Sequence, residues 1–167
     1  MFLAPSRSFF LVLFLAGVMA MGGSFYLEHW VGLTPCTLCI LQRYLLLGFC
    51  VTTLAGLAQG PDRLGTRLYA LCALVFSLGG VAVAARQVVL LSASKLGPLH
   101  LCRPGLDYLL DNMSLFQAFK LIFNGSWECY YINWTLFDLS IPEWSLLFFV
   151  AMSALALYPL IRPSGHF

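Results

Sequence analysis

Cys36 and Cys39 stand two residues apart in the stretch TPCTLCILQRY, and Arg43 follows four positions later inside an apolar run. A Cys-x-x-Cys pair serves thiol–disulfide exchange, half of a zinc site, or attachment of a c-type haem. Haem attachment needs histidine directly after the second cysteine, and Ile40 stands there. A four-cysteine zinc site takes its ligands as closely spaced pairs. The remaining candidates, Cys102 and Cys129, lie far apart and form no second pair. Thiol–disulfide exchange therefore ranks ahead of inert structural disulfides, and both rank ahead of metal. Cys50 and Cys72 fall inside apolar runs and read as small hydrophobic side chains.

The surroundings of Cys39 suit an exchangeable thiol. It opens an apolar helical stretch, where unpaired backbone N–H groups and the helix dipole favour an anion. Arg43 falls on the same face one turn further in. An arginine within an apolar span is costly and marks a functional site or a partner. The alternative is that its long stem climbs back to the membrane surface, and one turn is a short climb.

Composition says what must position these residues. The chain has 167 residues, of which 60% are hydrophobic and only 10% charged. Its mean hydropathy is +0.87. A soluble domain carries about 25% charged residues, so this chain reads as a membrane protein. Its net charge of +2 says little about partners, and no nucleic-acid partner is expected for it. Four stretches reach the ~20 residues a spanning helix needs, at about 9–27, 40–58, 68–91 and 144–161. They are continuous and lack the alternation of a barrel strand. The expected fold is all-α, a single domain over 1–167 built as a four-transmembrane-helix bundle. The first stretch reads as an uncleaved span, because its apolar run continues past Ala20 through Phe25 and Leu27.

Four spans put both termini on one side. That side holds Arg7, Arg63, Arg67 and Arg162, whereas the first opposite loop, about 28–39, has no Lys or Arg. By the positive-inside rule both termini are cytoplasmic, and the cysteine-bearing loops, about 28–39 and 92–143, face outward. Within the long loop, Leu115, Phe116, Phe119, Ile122 and Phe123 recur at helical spacing. That segment is too short to span and reads as a helix lying in the interface. Trp127, Tyr130, Tyr131, Trp134, Trp144 and Tyr158 suit membrane–water boundaries.

Taken together, PCTLCILQR, LCRPGLDYLL and GSWECYYINWTLFDLSIPEW on four spans resemble the disulfide bond formation protein B (DsbB) family. These are quinone reductases of the bacterial inner membrane, and the resemblance covers nearly the whole chain. It implies redox disulfides Cys36–Cys39 and Cys102–Cys129, with a transient Cys36–Cys129 link between the two periplasmic loops. It implies that Cys102 is attacked by a periplasmic DsbA-type thioredoxin-fold partner. Cys39 then matches the thiolate beside bound quinone (ubiquinone or menaquinone), and Arg43 the residue that holds that quinone. A DsbA-type protein is itself a strong oxidant, at about −120 mV, so reoxidising it calls for a more oxidising terminal acceptor. Some members carry a histidine on the third span near the quinone. The corresponding stretch here, ARQVVLLSAS, has none, and the role does not pass to His100 beside Cys102.

Two other readings compete. One is a non-enzymatic four-helix scaffold stapled by inert disulfides, in which a Cys102–Cys129 bridge contributes about 3 kcal/mol through loop entropy. It leaves Arg43 and the Cys-x-x-Cys at a helix start unexplained. The other is a paralogous oxidase of the same architecture serving a dedicated partner. A vitamin-K-epoxide-reductase-like enzyme would need a different cysteine layout.

Overall fold

A computed structural model describes residues 5–32, 36–94, 135–136 and 139–161. The interfacial segment expected at 114–123, Cys102 and Cys129 lie outside the described residues. Helix α1 runs Pro5–His29, α2 Thr37–Gln59, α3 Arg63–Ser94 and α4 Ile141–Ile161. They contain 25, 23, 32 and 21 residues, and each is long and apolar enough to cross a membrane. A two-residue antiparallel ladder precedes α4: β1 (Thr135–Leu136) pairs with β2 (Leu139–Ser140) in the register Thr135↔Ser140 and Leu136↔Leu139.

Local chemistry sets where the helices begin and end. At α4, Ser140 is the N-cap, and its backbone N–H and hydroxyl both donate to Glu143 Oε2 at 2.6 Å. Three residues separate the two, as in a capping box, and Pro142 fits the first turn, where no backbone donor is needed. Helix α2 closes on Gly60, whose φ of 53° is left-handed and whose N–H donates to Gly56 O at 3.2 Å. The Arg7 guanidinium lies directly over Gly60. Arg7 and the α2–α3 turn therefore share one end of the bundle.

The helices pack in chain order, α1 on α2, α2 on α3 and α3 on α4. One core joins all four through Leu13, Leu46, Phe49, Ala73, Phe149 and Met152. Small residues permit the close crossings. The Phe149 ring of α4 occupies the space a side chain at Gly80 of α3 would fill. Polar groups inside are paired: the single Ser153 hydroxyl proton is shared between Phe149 O at 2.8 Å and Ser77 Oγ at 3.0 Å. The opposite faces present Val12, Leu15, Val51, Leu54, Leu71, Val75 and Val150 outward, as lipid contact requires. Trp144 and Tyr158 are exposed near the two ends of α4.

Candidate functional site

A second, smaller core lies at the other end of the bundle, formed by Cys36, Leu38, Val83 and Leu90 with Cys39, Leu41 and Leu45 against it. Cys36 is the N-cap of α2, with extended backbone (φ −73°, ψ 166°), and its carbonyl accepts the first helical bond from Ile40 N–H at 3.1 Å. Cys39 is three residues on, so both sulfurs sit at the open N-terminal turn.

The two sulfurs are 3.2 Å apart, and either can donate to the other. Closing a disulfide at ~2.05 Å needs an approach of only about 1 Å. Cys36 is 2% exposed, whereas Cys39 is partly open. Gln87 of α3 reaches both: its Nε2 donates to Cys39 Sγ at 3.1 Å and to Cys36 Sγ at 3.3 Å. Gln42, from α2, donates its Nε2 to Gln87 Oε1 at 2.8 Å. Negative charge on either sulfur would thus meet a buried donor.

Arg43 lies about 6 Å further along α2 than Cys39, within electrostatic reach of its sulfur. Its fork is anchored to the outer turns of α1. Nε donates to Ser24 Oγ at 2.6 Å and Nη2 to Ser24 O at 3.1 Å, while Nη1 pairs with Glu28. Its guanidinium also stands 5.0 Å from the Phe25 ring centroid, a cation–π distance. Of five guanidinium N–H groups, three are engaged in these bonds. Arg43 is therefore held in a polar bracket on the neighbouring helix, with two N–H groups remaining.

The structure thus gathers three of the five expected site residues, Cys36, Cys39 and Arg43, at one end of the bundle. Cys102 and Cys129 fall outside the described residues. Sequence reasoning missed Gln42, Gln87, Ser24 and Glu28. The glutamines carried a usable signal, since an amide within an apolar span must find a partner.

Fold and site define a multi-pass four-helix membrane protein with a thiol pair at one end of its bundle. The family model for Disulfide bond formation protein DsbB matches residues 6–159. Disulfide bond formation protein B 2 of Pseudomonas fluorescens Pf0-1 is 48% identical over 164 residues, covering 97% of this chain and 88% of that relative. Disulfide bond formation protein B 1 of Pseudomonas aeruginosa PAO1 is 44% identical over 160 residues, 96% and 98% of the two chains. Disulfide bond formation protein B of Stutzerimonas stutzeri A1501 is 38% identical over a similar span. The chain belongs to the DsbB family of disulfide bond formation proteins. Its role is that of an oxidoreductase in disulfide formation.

Proposed function

We propose that this protein reoxidises a periplasmic DsbA-type dithiol partner and passes the electrons to membrane quinone. The observation that carries the reading is Cys36 and Cys39 at the start of α2, with Arg43 one turn further in, in a DsbB-family chain. A partner thiolate attacks Cys102, the Cys102–Cys129 bond breaks, and its electron pair leaves on Cys129. The Cys129 thiolate attacks Cys36, the Cys36–Cys39 bond breaks, and Cys39 becomes the thiolate. The second partner thiol then attacks the mixed disulfide and releases the oxidised partner. The Cys102 thiolate so freed attacks Cys129, re-forms Cys102–Cys129 and returns Cys36 as a thiol beside the Cys39 thiolate, the pair whose re-oxidation gives up two electrons.

Quinone, when bound, supplies the two-electron, two-proton acceptor that carries these electrons away as quinol. The donor chemistry beside Cys39 fits a quinone carbonyl. Arg43 has two N–H groups beyond those bound by Ser24 and Glu28, and the Phe25 face and Leu41 make an apolar margin. A cation fixed there stabilises charge on the Cys39 sulfur and on a carbonyl oxygen alike. In this reading the protein sits in the bacterial inner membrane with both termini cytoplasmic. Arg7, and Arg67 near the start of α3, lie at the end opposite the thiols, which supports that orientation.

Anaerobic titration of the purified protein with a reduced DsbA-type dithiol, while quinone reduction is followed optically, tests the proposal. One quinol is expected per partner disulfide formed, and Cys102→Ser is expected to abolish the reaction. Oxidised partner without a quinone signal would overturn the electron route, and normal turnover by Cys102→Ser would overturn the relay order.

A further inference from the structure

Gln87 is fully buried and Gln42 is 8% exposed. Among the described residues no buried side-chain polar atom lacks a partner, so what these amides bond to sets their orientation. A carboxamide offers one oxygen acceptor and an NH2 donor. The Gln42 amide donates to Gln87 Oε1, which leaves only the Gln87 NH2 to face the thiol pair. A flipped Gln87 would set donor against donor at Gln42 and acceptor against sulfur at the other end.

We propose that Gln87 is a catalytic residue of the Cys36–Cys39 pair, donating an N–H to whichever sulfur carries negative charge, and that Gln42 positions its amide for this. The inference rests on the reading of Cys36–Cys39 as the redox pair and adds the groups that make its thiolate available. The nearly equal distances to the two sulfurs, 3.3 and 3.1 Å, let one NH2 serve both. When an incoming thiolate bonds to Cys36, the Cys36–Cys39 bond breaks and its electron pair goes to Cys39 Sγ. No proton passes through Gln87. A hydrogen bond to neutral sulfur is weak, and one to a thiolate is charge-assisted, so the stabilisation grows as the charge forms. In an apolar interior that difference is felt strongly. The amide has no titratable proton, so its donor is present at every working pH. The charged side chains and histidine on the thiol-end turns of the packed helices are Arg43 on α2, Glu28 and His29 on α1, Arg86 on α3 and Glu143 on α4, whereas Arg7, Arg63 and Arg67 belong to the opposite end. Arg43 and Glu28 are paired with each other, and Glu143 accepts from Ser140.

The test is alkylation of the fully reduced protein in detergent by iodoacetamide from about pH 5 to pH 10, with neither quinone nor partner present. Peptide-resolved mass spectrometry follows the Cys36/Cys39 peptide, and the Cys72 peptide is the internal control. Gln87→Met keeps side-chain length and loses the donor. It is expected to raise the alkylation midpoint of the Cys36/Cys39 peptide by about one pH unit, and so to slow its alkylation about tenfold at about pH 5, below both midpoints. Gln42→Met is expected to slow it about threefold. Should Gln87→Met fail to fold, the double variant Gln42→Met/Gln87→Met removes both buried amides together, which is the better tolerated change, and the same tenfold loss is expected. Rates and midpoints within twofold of wild type in folded Gln87→Met or the double variant would overturn the proposal. Normal alkylation shifts alongside a silent quinone titration would instead sink the electron route and leave the amide role standing.

Discussion

At the residue scale, an arginine in a membrane span has been given a place without being fully consumed. Ser24, Glu28 and Phe25 hold Arg43 from one side. Pairing with Glu28 offsets the cost of lowering a cation into the bundle, and the ion pair is only partly buried, with the side chains 19% and 31% exposed. Its own contribution to stability is therefore within about 1 kcal/mol. Arg43→Ala is expected to reduce quinone-dependent turnover about a hundredfold, while stoichiometric exchange with a reduced dithiol persists. Glu28→Gln keeps both Ser24 bonds and is expected to lower quinone use less than tenfold. Parallel assays of quinone reduction and thiol exchange separate the two effects, and equal losses in both assays for Arg43→Ala would remove it from the quinone step.

At the element scale, helix ends and helix crossings decide whether the thiols are presented. Helix α4 starts through Ser140 and Glu143. Ser140→Ala removes the cap hydroxyl and is expected to cost about 1 kcal/mol in thermal or denaturant unfolding in detergent. An unchanged melting point would show that the two-residue ladder alone sets this start. The α3–α4 crossing depends on Gly80, because the Phe149 ring occupies the room a larger residue would need. Gly80→Val is expected to destabilise by about 1–3 kcal/mol. Since α3 also carries Gln87, the same variant is expected to alter thiol reactivity, which alkylation of Cys36 and Cys39 reads directly.

At the scale of the whole molecule, the bundle separates two ends with different chemistry. The Arg7–Gly60 contact and the α2–α3 turn define one, and the thiol pair with the Arg43 bracket defines the other. Asp62 is exposed in the α2–α3 turn. In a variant lacking the native cysteines, Asp62→Cys is expected to react with a membrane-impermeant maleimide only after cells are permeabilised. Labelling of intact cells would invert the proposed orientation.

Much of this was legible from residue order. Spanning length and the scarcity of charge dictated four helices, because a backbone in lipid must satisfy its own hydrogen bonds. The offset between Cys36, Cys39 and Arg43 follows from helical geometry, since all three share α2. What came from other helices was not legible. Gln87 is 48 positions from Cys39 and Ser24 is 19 from Arg43, and nothing local to either stretch states that they meet. Residue order alone therefore determined a membrane bundle with a thiol pair and an arginine on one helix. Only the tertiary structure decided which partners hold them, because a buried donor or charge is satisfied by whatever the packing of neighbouring helices brings within hydrogen-bond reach.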